Sequence, residues 1–264
     1  MNEATYFDRK SFFAALRKRD SGLFGTSLSQ KQVDGLEAIL SECESQDADI
    51  GQASYILATG YGETGGKMQP VRENMYYSSA ARIRQVFSAS RRQGIPAAKL
   101  ARNPQLLANT VYGGPWGQRN LGNRIGTTDG WDFRGFWIGQ ITGYRNAKKW
   151  SKGLGVDLIG NPALLDDLKM AVRGLVRPML EGWATGKRLD EYVKGDKRNY
   201  VEARRVWNGS FEAVKYAGYA KAFEKALEAA GYTASTPTPT KPTQSPLAAL
   251  FAAFLALFKG KPNV

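Results

Sequence analysis

Two glutamates ten residues apart, Glu63 and Glu73, are the pair in this chain best placed to do acid–base chemistry. They lie in the stretch Tyr-Gly-Glu-Thr-Gly-Gly-Lys-Met-Gln-Pro-Val-Arg-Glu-Asn-Met-Tyr-Tyr, residues 61–77. One carboxyl half-buried at a helix end, facing a second and better solvated one, is the arrangement that glycoside hydrolysis needs. On spacing alone, two glutamates are ordinarily solvated surface groups. The weight therefore falls on what positions them.

Asp49 reads as a helix N-cap with Gln52 three residues on, the spacing of a capping box. Ala53, Ile56, Leu57 and Gly60 recur at helical spacing behind it, and Thr64-Gly65-Gly66 stops the helix. Glu63 is thus expected on the last turn of a rigid buried element, and Glu73 on a loop or short hairpin facing it. Before this, residues 8–19 predict a helix with Phe12, Phe13 and Leu16 inward. A second helix carries Val33, Leu36, Ile39 and Leu40 behind Ser27 or Ser29 as cap. Helices are also predicted over 79–90 and 96–107, joined by the basic Arg91-Arg92-Gln93-Gly94. The Gly-rich stretch 113–130 reads as a long irregular loop. An aromatic stretch, 131–143, leads into a helix near Thr142 that carries Asn146 and Trp150. Asn161-Pro162 opens a strong helix with Leu165, Leu168, Val172, Leu175, Val176 and Met179 on one face, which Pro178 should bend or end. The turn Arg204-Arg205-Val206-Trp207-Asn208-Gly209 precedes a last helix with Tyr216, Ala220, Phe223 and Leu227 inward. The expectation is a mainly α single domain over 1–232, with room for a small β-hairpin near the carboxylates. A Pro/Thr-rich linker (233–245) and a short hydrophobic tail (246–264) follow.

Composition narrows the chemistry. The 264 residues hold 37 Lys+Arg against 24 Asp+Glu, a formal charge of +13, which points to an anionic partner. Nucleic acid, an anionic membrane face and the bacterial wall all qualify. No zinc finger, RNP-type strand or basic heptad helix is present, so no nucleic acid is expected. There is no histidine, which removes His-based triads and most catalytic metal sites. No metal or cofactor is called for. The lone Cys43, between Glu42 and Glu44, is not expected to be an activated thiolate, and it permits no internal disulfide. The first residues have neither a basic n-region nor an apolar h-region, so no secretory signal is expected.

The carboxylate stretch, the aromatic stretch and the Arg-Arg-Val-Trp-Asn-Gly turn, in this order, resemble the glycoside hydrolase family 19 chitinases. They look closer still to the lysozyme-like phage and prophage endolysins of that family. The likeness runs from about Gln30 to Tyr232 and implies a lysozyme-like, mainly α fold. By this resemblance Gly62-Glu63-Thr64-Gly65-Gly66 presents the general acid, Glu63, and Val71-Arg72-Glu73-Asn74 the base, Glu73. The segment from Phe133 to Gly143 supplies Gln140 to the sugar and Thr142 to the nucleophilic water. Asn146 and Asn208 fall on saccharide-binding positions. The sequence departs from the family at Gly62, where a histidine is usual, at Phe136-Trp137 in place of Arg-Gly, and at Gly139 in place of a branched residue. Arg145 and Ala147 also flank Asn146 where aromatic residues are common.

The expected reaction is inverting hydrolysis of a β-1,4 bond next to N-acetylated sugars, with peptidoglycan as substrate. A partly apolar site would raise the pKa of Glu63, while Arg72 would keep Glu73 charged. Tyr76, Tyr77, Trp116, Trp131 and Trp137 are candidate sugar platforms, Tyr77 and Trp131 foremost. Leu247 opens and Phe258 closes a wholly apolar run whose helix would reach about 18 Å, short of a hydrocarbon core of roughly 30 Å. A span is therefore not expected of it; interfacial membrane insertion, docking onto a lysis partner and self-association stay equally open, beside a plain disordered tail. The chain is expected to act as a monomer on peptidoglycan and the anionic envelope, moving from the host cytoplasm to the periplasm after release. Competing readings are a chitinase, a weakened wall-binding or phage-particle protein, and a basic nucleic-acid binder.

Overall fold

The computed structural model describes residues 7–233, so the tail and, beyond Thr233, the linker expected from the sequence lie outside the described residues. The chain order is α1 (Arg9–Leu16), α2 (Gln30–Ser45), α3 (Ile50–Glu63), α4 (Ala80–Val86), α5 (Ala97–Leu100), α6 (Pro104–Gly113), α7 (Pro115–Leu121), α8 (Asp129–Asp132), α9 (Tyr144–Leu154), α10 (Leu168–Glu181) and α11 (Ala213–Ala229). A two-stranded antiparallel hairpin, β1 (Val193–Lys194) and β2 (Lys197–Arg198), pairs Val193 with Arg198 and Lys194 with Lys197. The protein is mainly α.

Local chemistry sets the long helices. Ser29 and Asp49 both close capping boxes, with Gln32 and Gln52, at the starts of α2 and α3. Asp8 caps α1, whose Phe12, Phe13 and Leu16 are buried. In α3 every residue from Gly51 to Gly60 is buried, which small side chains make possible by letting neighbouring helices approach. The helix packs on α2, α10 and α11. These helices, with α1, α9 and the aromatic stretch, share the larger apolar core. A smaller core gathers Met75, Ile83, Phe87, Leu100, Leu107 and Val111 from α4 to α6, with Tyr77, Tyr112 and Trp131 against it. Cys43 is buried in the larger core, where burial pushes its thiol up, followed by Glu42 and Glu44.

Several expectations need correction. The helix predicted over 96–107 is two: α5 ends, then Asn103 caps α6 with Pro104 at its first position. The Gly-rich stretch is not a loop throughout. Gly114 and Pro115 start α7, and a Cβ on Gly117 would come within 1.6 Å of the Tyr112 carbonyl oxygen. That glycine serves close packing, not flexibility. Asn161-Pro162 opens only a 3-10 turn ending at Leu165, while Asp167 caps the true helix, α10. Pro178 sits inside α10 without ending it. The Gly174 carbonyl, which a residue-178 amide would have served, accepts from Trp150 Nε1 at 2.8 Å instead.

The hairpin is also not where it was expected. Gly195 N donates to Asp49 Oδ2 at 2.8 Å, which ties the hairpin to the start of α3. Glu63 lies at the other end, about 20 Å away at 1.5 Å per residue. Asp49 thus holds two elements, with Oδ1 on Gln52 N and Oδ2 on Gly195 N. Asp49→Ala is expected to cost about 1–2 kcal/mol, at the upper range for a lost cap, and urea unfolding of the purified variant measures it.

Candidate active site

Glu63 is the last residue of α3, and its Oε1 accepts from Arg204 Nη2 at 2.8 Å and from Tyr216 OH at 3.1 Å. The ion pair is enclosed: Arg204 is 1% exposed and the Glu63 side chain 15%. Arg204 comes from a 3-10 turn, Glu202–Val206, where its Nε also bonds the Phe211 carbonyl at 3.1 Å. Its guanidinium carbon stands 3.6 Å from the Tyr216 ring centroid. The partly apolar surroundings expected for Glu63 are therefore replaced by a cation and a hydroxyl. Burial, then the Glu63 charge, pushes the Tyr216 hydroxyl up, so it stays a donor at neutral pH.

Glycine at 62 has a reason here. A Cβ at that position would fall 2.4 Å from two Tyr216 ring carbons, so the tyrosine occupies the space a side chain would need.

Glu73 sits on an extended segment laid against the aromatic stretch. Its backbone N donates to the Gly135 carbonyl at 2.7 Å, and Val71 N to Trp137 O at 3.4 Å. Its carboxylate is held by Tyr112 OH on Oε1 at 2.8 Å and by Gly135 N on Oε2 at 3.2 Å. Tyr112 is a buried-side donor whose hydroxyl is pushed up by burial and then by Glu73. Arg72 does not do what was expected of it. Its Nη2 turns to the Asp132 carbonyl at 2.5 Å instead of Glu73. Arg134 Nε bonds the Glu73 carbonyl at 3.1 Å and so fixes the backbone of the same residue.

Gln140 stands beside Glu73. Its Nε2 donates to Val71 O at 2.8 Å and Trp137 O at 3.1 Å. A Cβ on Gly135 would meet Gln140 Oε1 at 2.7 Å and Glu73 Cβ at 3.1 Å, so only glycine lets the three come together. Trp137 and Gln140 take positive φ, 62° and 51°, in the turn that a Phe136–Ile141 bridge closes. Thr142 and Asn146 follow, with Asn146 Nδ2 on the Thr142 carbonyl at 2.9 Å. Gln140, Thr142, Asn146 and Trp207 line one cavity of about 260 Å³.

The other expected residues scatter. Asn208 is exposed and contributes a backbone bond to Arg204 O at 2.9 Å, while its neighbour Trp207 lines the cavity. Tyr77 packs edge-on against Phe87, ring centroids 5.6 Å apart, and Trp131 lies under Arg134 at 3.6 Å. Trp137 is fully buried with its Nε1 on Leu164 O, so it is core and not a sugar platform. Arg204, Tyr216 and Tyr112 were not singled out from the sequence. Arg204 was visible in the Arg-Arg-Val-Trp-Asn-Gly turn, and Tyr216 on the apolar face of α11, yet neither pattern shows a polar head reaching Glu63.

No protein-family model matches the chain. Over 112 residues it is 35% identical to a glycosyl hydrolase family 19 domain-containing protein of Haemophilus influenzae. The matched stretch covers 40% of this chain and 50% of that relative, so the chain spans about half the relative's length.

Breaking a buried pair by removing one partner strands the other charge, at about 3–5 kcal/mol. Glu63→Leu is therefore expected to lower unfolding stability by about 3 kcal/mol, and adding Arg204→Leu to recover a large part of it. A double-mutant cycle in urea reads this directly. A coupling below about 0.5 kcal/mol would mean a solvated, unpaired Glu63.

Proposed function

We propose that this protein is a glycoside hydrolase that cuts the β-1,4 glycan of peptidoglycan by an inverting, two-carboxylate mechanism, and that it serves bacterial cell lysis. The observation that carries the reading is the separate support of the two carboxylates. Glu63 is held by Arg204 and Tyr216, and Glu73 by Tyr112, which packs on the smaller core. Each is fixed by groups the other does not share, so the two carboxylates stand in different environments. The 35% identity to a family 19 domain protein over part of the chain supports the same chemistry.

In this mechanism Glu63 donates its proton to the leaving glycosidic oxygen. Glu73 takes a proton from a water on the opposite face of the sugar, and that water attacks the anomeric carbon. Tyr112 and Gly135 N hold the Glu73 carboxylate in one orientation. Thr142 is assigned to the attacking water, and Gln140, Asn146 and Asn208 to the sugar amides and hydroxyls. The cavity under Trp207 takes a sugar ring or its acetamido group. The net charge of +13 draws the enzyme to an anionic envelope, an attraction that salt weakens. The apolar run from Leu247 to Phe258 is proposed to touch a membrane or a lysis protein.

Lysis of outer-membrane-permeabilised Gram-negative cells tests the reading, with muropeptide release and pull-down on purified sacculi in parallel. Glu63→Gln and Glu73→Gln are each expected to lose at least about 100-fold in rate, the usual worth of a general acid or base, while still binding sacculi. The first-formed product is expected with inverted anomeric configuration by proton NMR. A retained anomer, or cleavage of chitin oligomers in preference to peptidoglycan, would overturn the assignment.

A further inference from the structure

Three arginines surround the segment that carries Glu73, and none of them is in an ion pair among the described residues. Arg72 is engaged with the Asp132 carbonyl. Arg134 is engaged with the carbonyls of Glu73 and Trp131. Arg91 is different. Its guanidinium lies 3.9 Å from the Trp116 ring centroid, 5.0 Å from Phe87 and 5.3 Å from Tyr112. Its Nε is buried and has no hydrogen-bond partner.

The setting of Arg91 is built and not incidental. Gln93 Nε2 bonds the Thr110 carbonyl at 2.6 Å, and Arg92 bonds the carbonyls of Phe87 and Ile95, which pins the 88–95 turn to the smaller core. One of these rings, Tyr112, also reaches the site, with its hydroxyl 2.8 Å from Glu73 Oε1. A half-buried guanidinium stacked on aromatic rings is preorganised and only weakly hydrated, so a planar carboxylate finds two parallel donors at small ordering cost. Glu73 itself is already occupied by Tyr112 and Gly135 N. The Arg91 Nε is enclosed, so it is the terminal nitrogens of the guanidinium, in no ion pair among the described residues, that are open to an anion from outside the chain.

We propose that Arg91 is a specificity-determining residue that receives a carboxylate of the lactyl-peptide branch on muramic acid, the feature that separates peptidoglycan from chitin. This rests on the glycosidase reading of the cleft. Chitin carries no charge, so a cation fixed one side chain away from Glu73 gains nothing from it. Peptidoglycan carries a carboxyl-bearing branch on every second sugar.

The test is binding without turnover, by calorimetry on the full chain carrying Glu63→Gln, with and without Arg91→Gln or Arg91→Lys. The probes are a tetrasaccharide of alternating N-acetylglucosamine and N-acetylmuramic acid bearing stem peptides, the same molecule with its carboxyls amidated, and chitotetraose. With Arg91 present the acidic tetrasaccharide is expected to bind roughly tenfold more tightly than its amide, one charge-assisted hydrogen bond's worth. Arg91→Gln is expected to abolish that preference and leave chitotetraose binding unchanged, while Arg91→Lys retains part of it. Equal weakening on all three probes, or an acid preference that survives Arg91→Gln, would overturn the proposal and leave the glycosidase reading standing. Failure of the Glu63→Gln protein to bind any of the glycans would overturn both. Thermal melting of each variant shows whether the fold is kept.

Discussion

The buried pair between Glu63 and Arg204 is the constraint around which the larger half of this molecule is arranged. A helix whose residues from Gly51 to Gly60 are all buried must end somewhere, and it ends on a carboxylate that is 15% exposed. A charge so far removed from water needs a cation with good geometry, and that cation must itself be paid for in packing. Arg204 is 1% exposed, so the 3-10 turn that carries it and the start of α11 are both fixed by the need to enclose it. Tyr216 completes the arrangement by stacking on the guanidinium and bonding the same carboxylate oxygen. Gly62 has no side chain because that ring has taken the space.

Glu73 is held by opposite means. Its donors are a neutral phenol and a backbone amide, and its own backbone is stitched to Gly135 and Arg134. The segment is extended because it borrows its hydrogen bonds from the aromatic stretch, not from a sheet of its own. Positive φ at Trp137 and Gln140 bends that stretch so that the Gln140 amide can reach Val71 O. The bend is a local strain, and the buried Phe136 and Trp137 rings hold it in place. The two carboxylates thus differ in the rigidity and charge of their supports, a difference set by packing and not by their own residue type.

The helices were legible where the signal was local. The capping boxes at Ser29 and Asp49 and the apolar stripe of α11 could be read directly, because caps and periodicity act within a few residues. Glu63 at the end of α3 follows from the same kind of signal. Legibility failed where contacts are remote. The glycines of 113–130 looked like loop because a glycine needed for approach to the Tyr112 carbonyl has the same letter as a flexible one. Arg72 looked like the partner of Glu73 because it is adjacent in sequence, yet neighbours on an extended segment point to opposite faces. Arg204 and Tyr216 reach Glu63 across 141 and 153 residues, and no local pattern encodes that.

The positions where the sequence departs from the family it resembles can be followed into the packing. Gly62, Trp137 and Gly139 each have a counterpart that fills or makes room. Tyr216 covers Gly62, and the Trp207 ring lies 2.3 Å from where a Gly139 Cβ would stand. Trp137 lies over Gly174, whose Cβ would meet its ring at 2.4 Å. Interiors tolerate exchanges that conserve volume far better than exchanges that leave voids. Here large and small positions match at all three sites, and all three rings also place their polar atoms in hydrogen bonds, Trp137 Nε1 on Leu164 O. Tyr216 bonds Glu63, and Trp207 Nε1 bonds the Gly139 carbonyl at 3.2 Å, next to Gln140. The altered loop is thus repacked against the neighbouring helices and leaves no void beside the carboxylates.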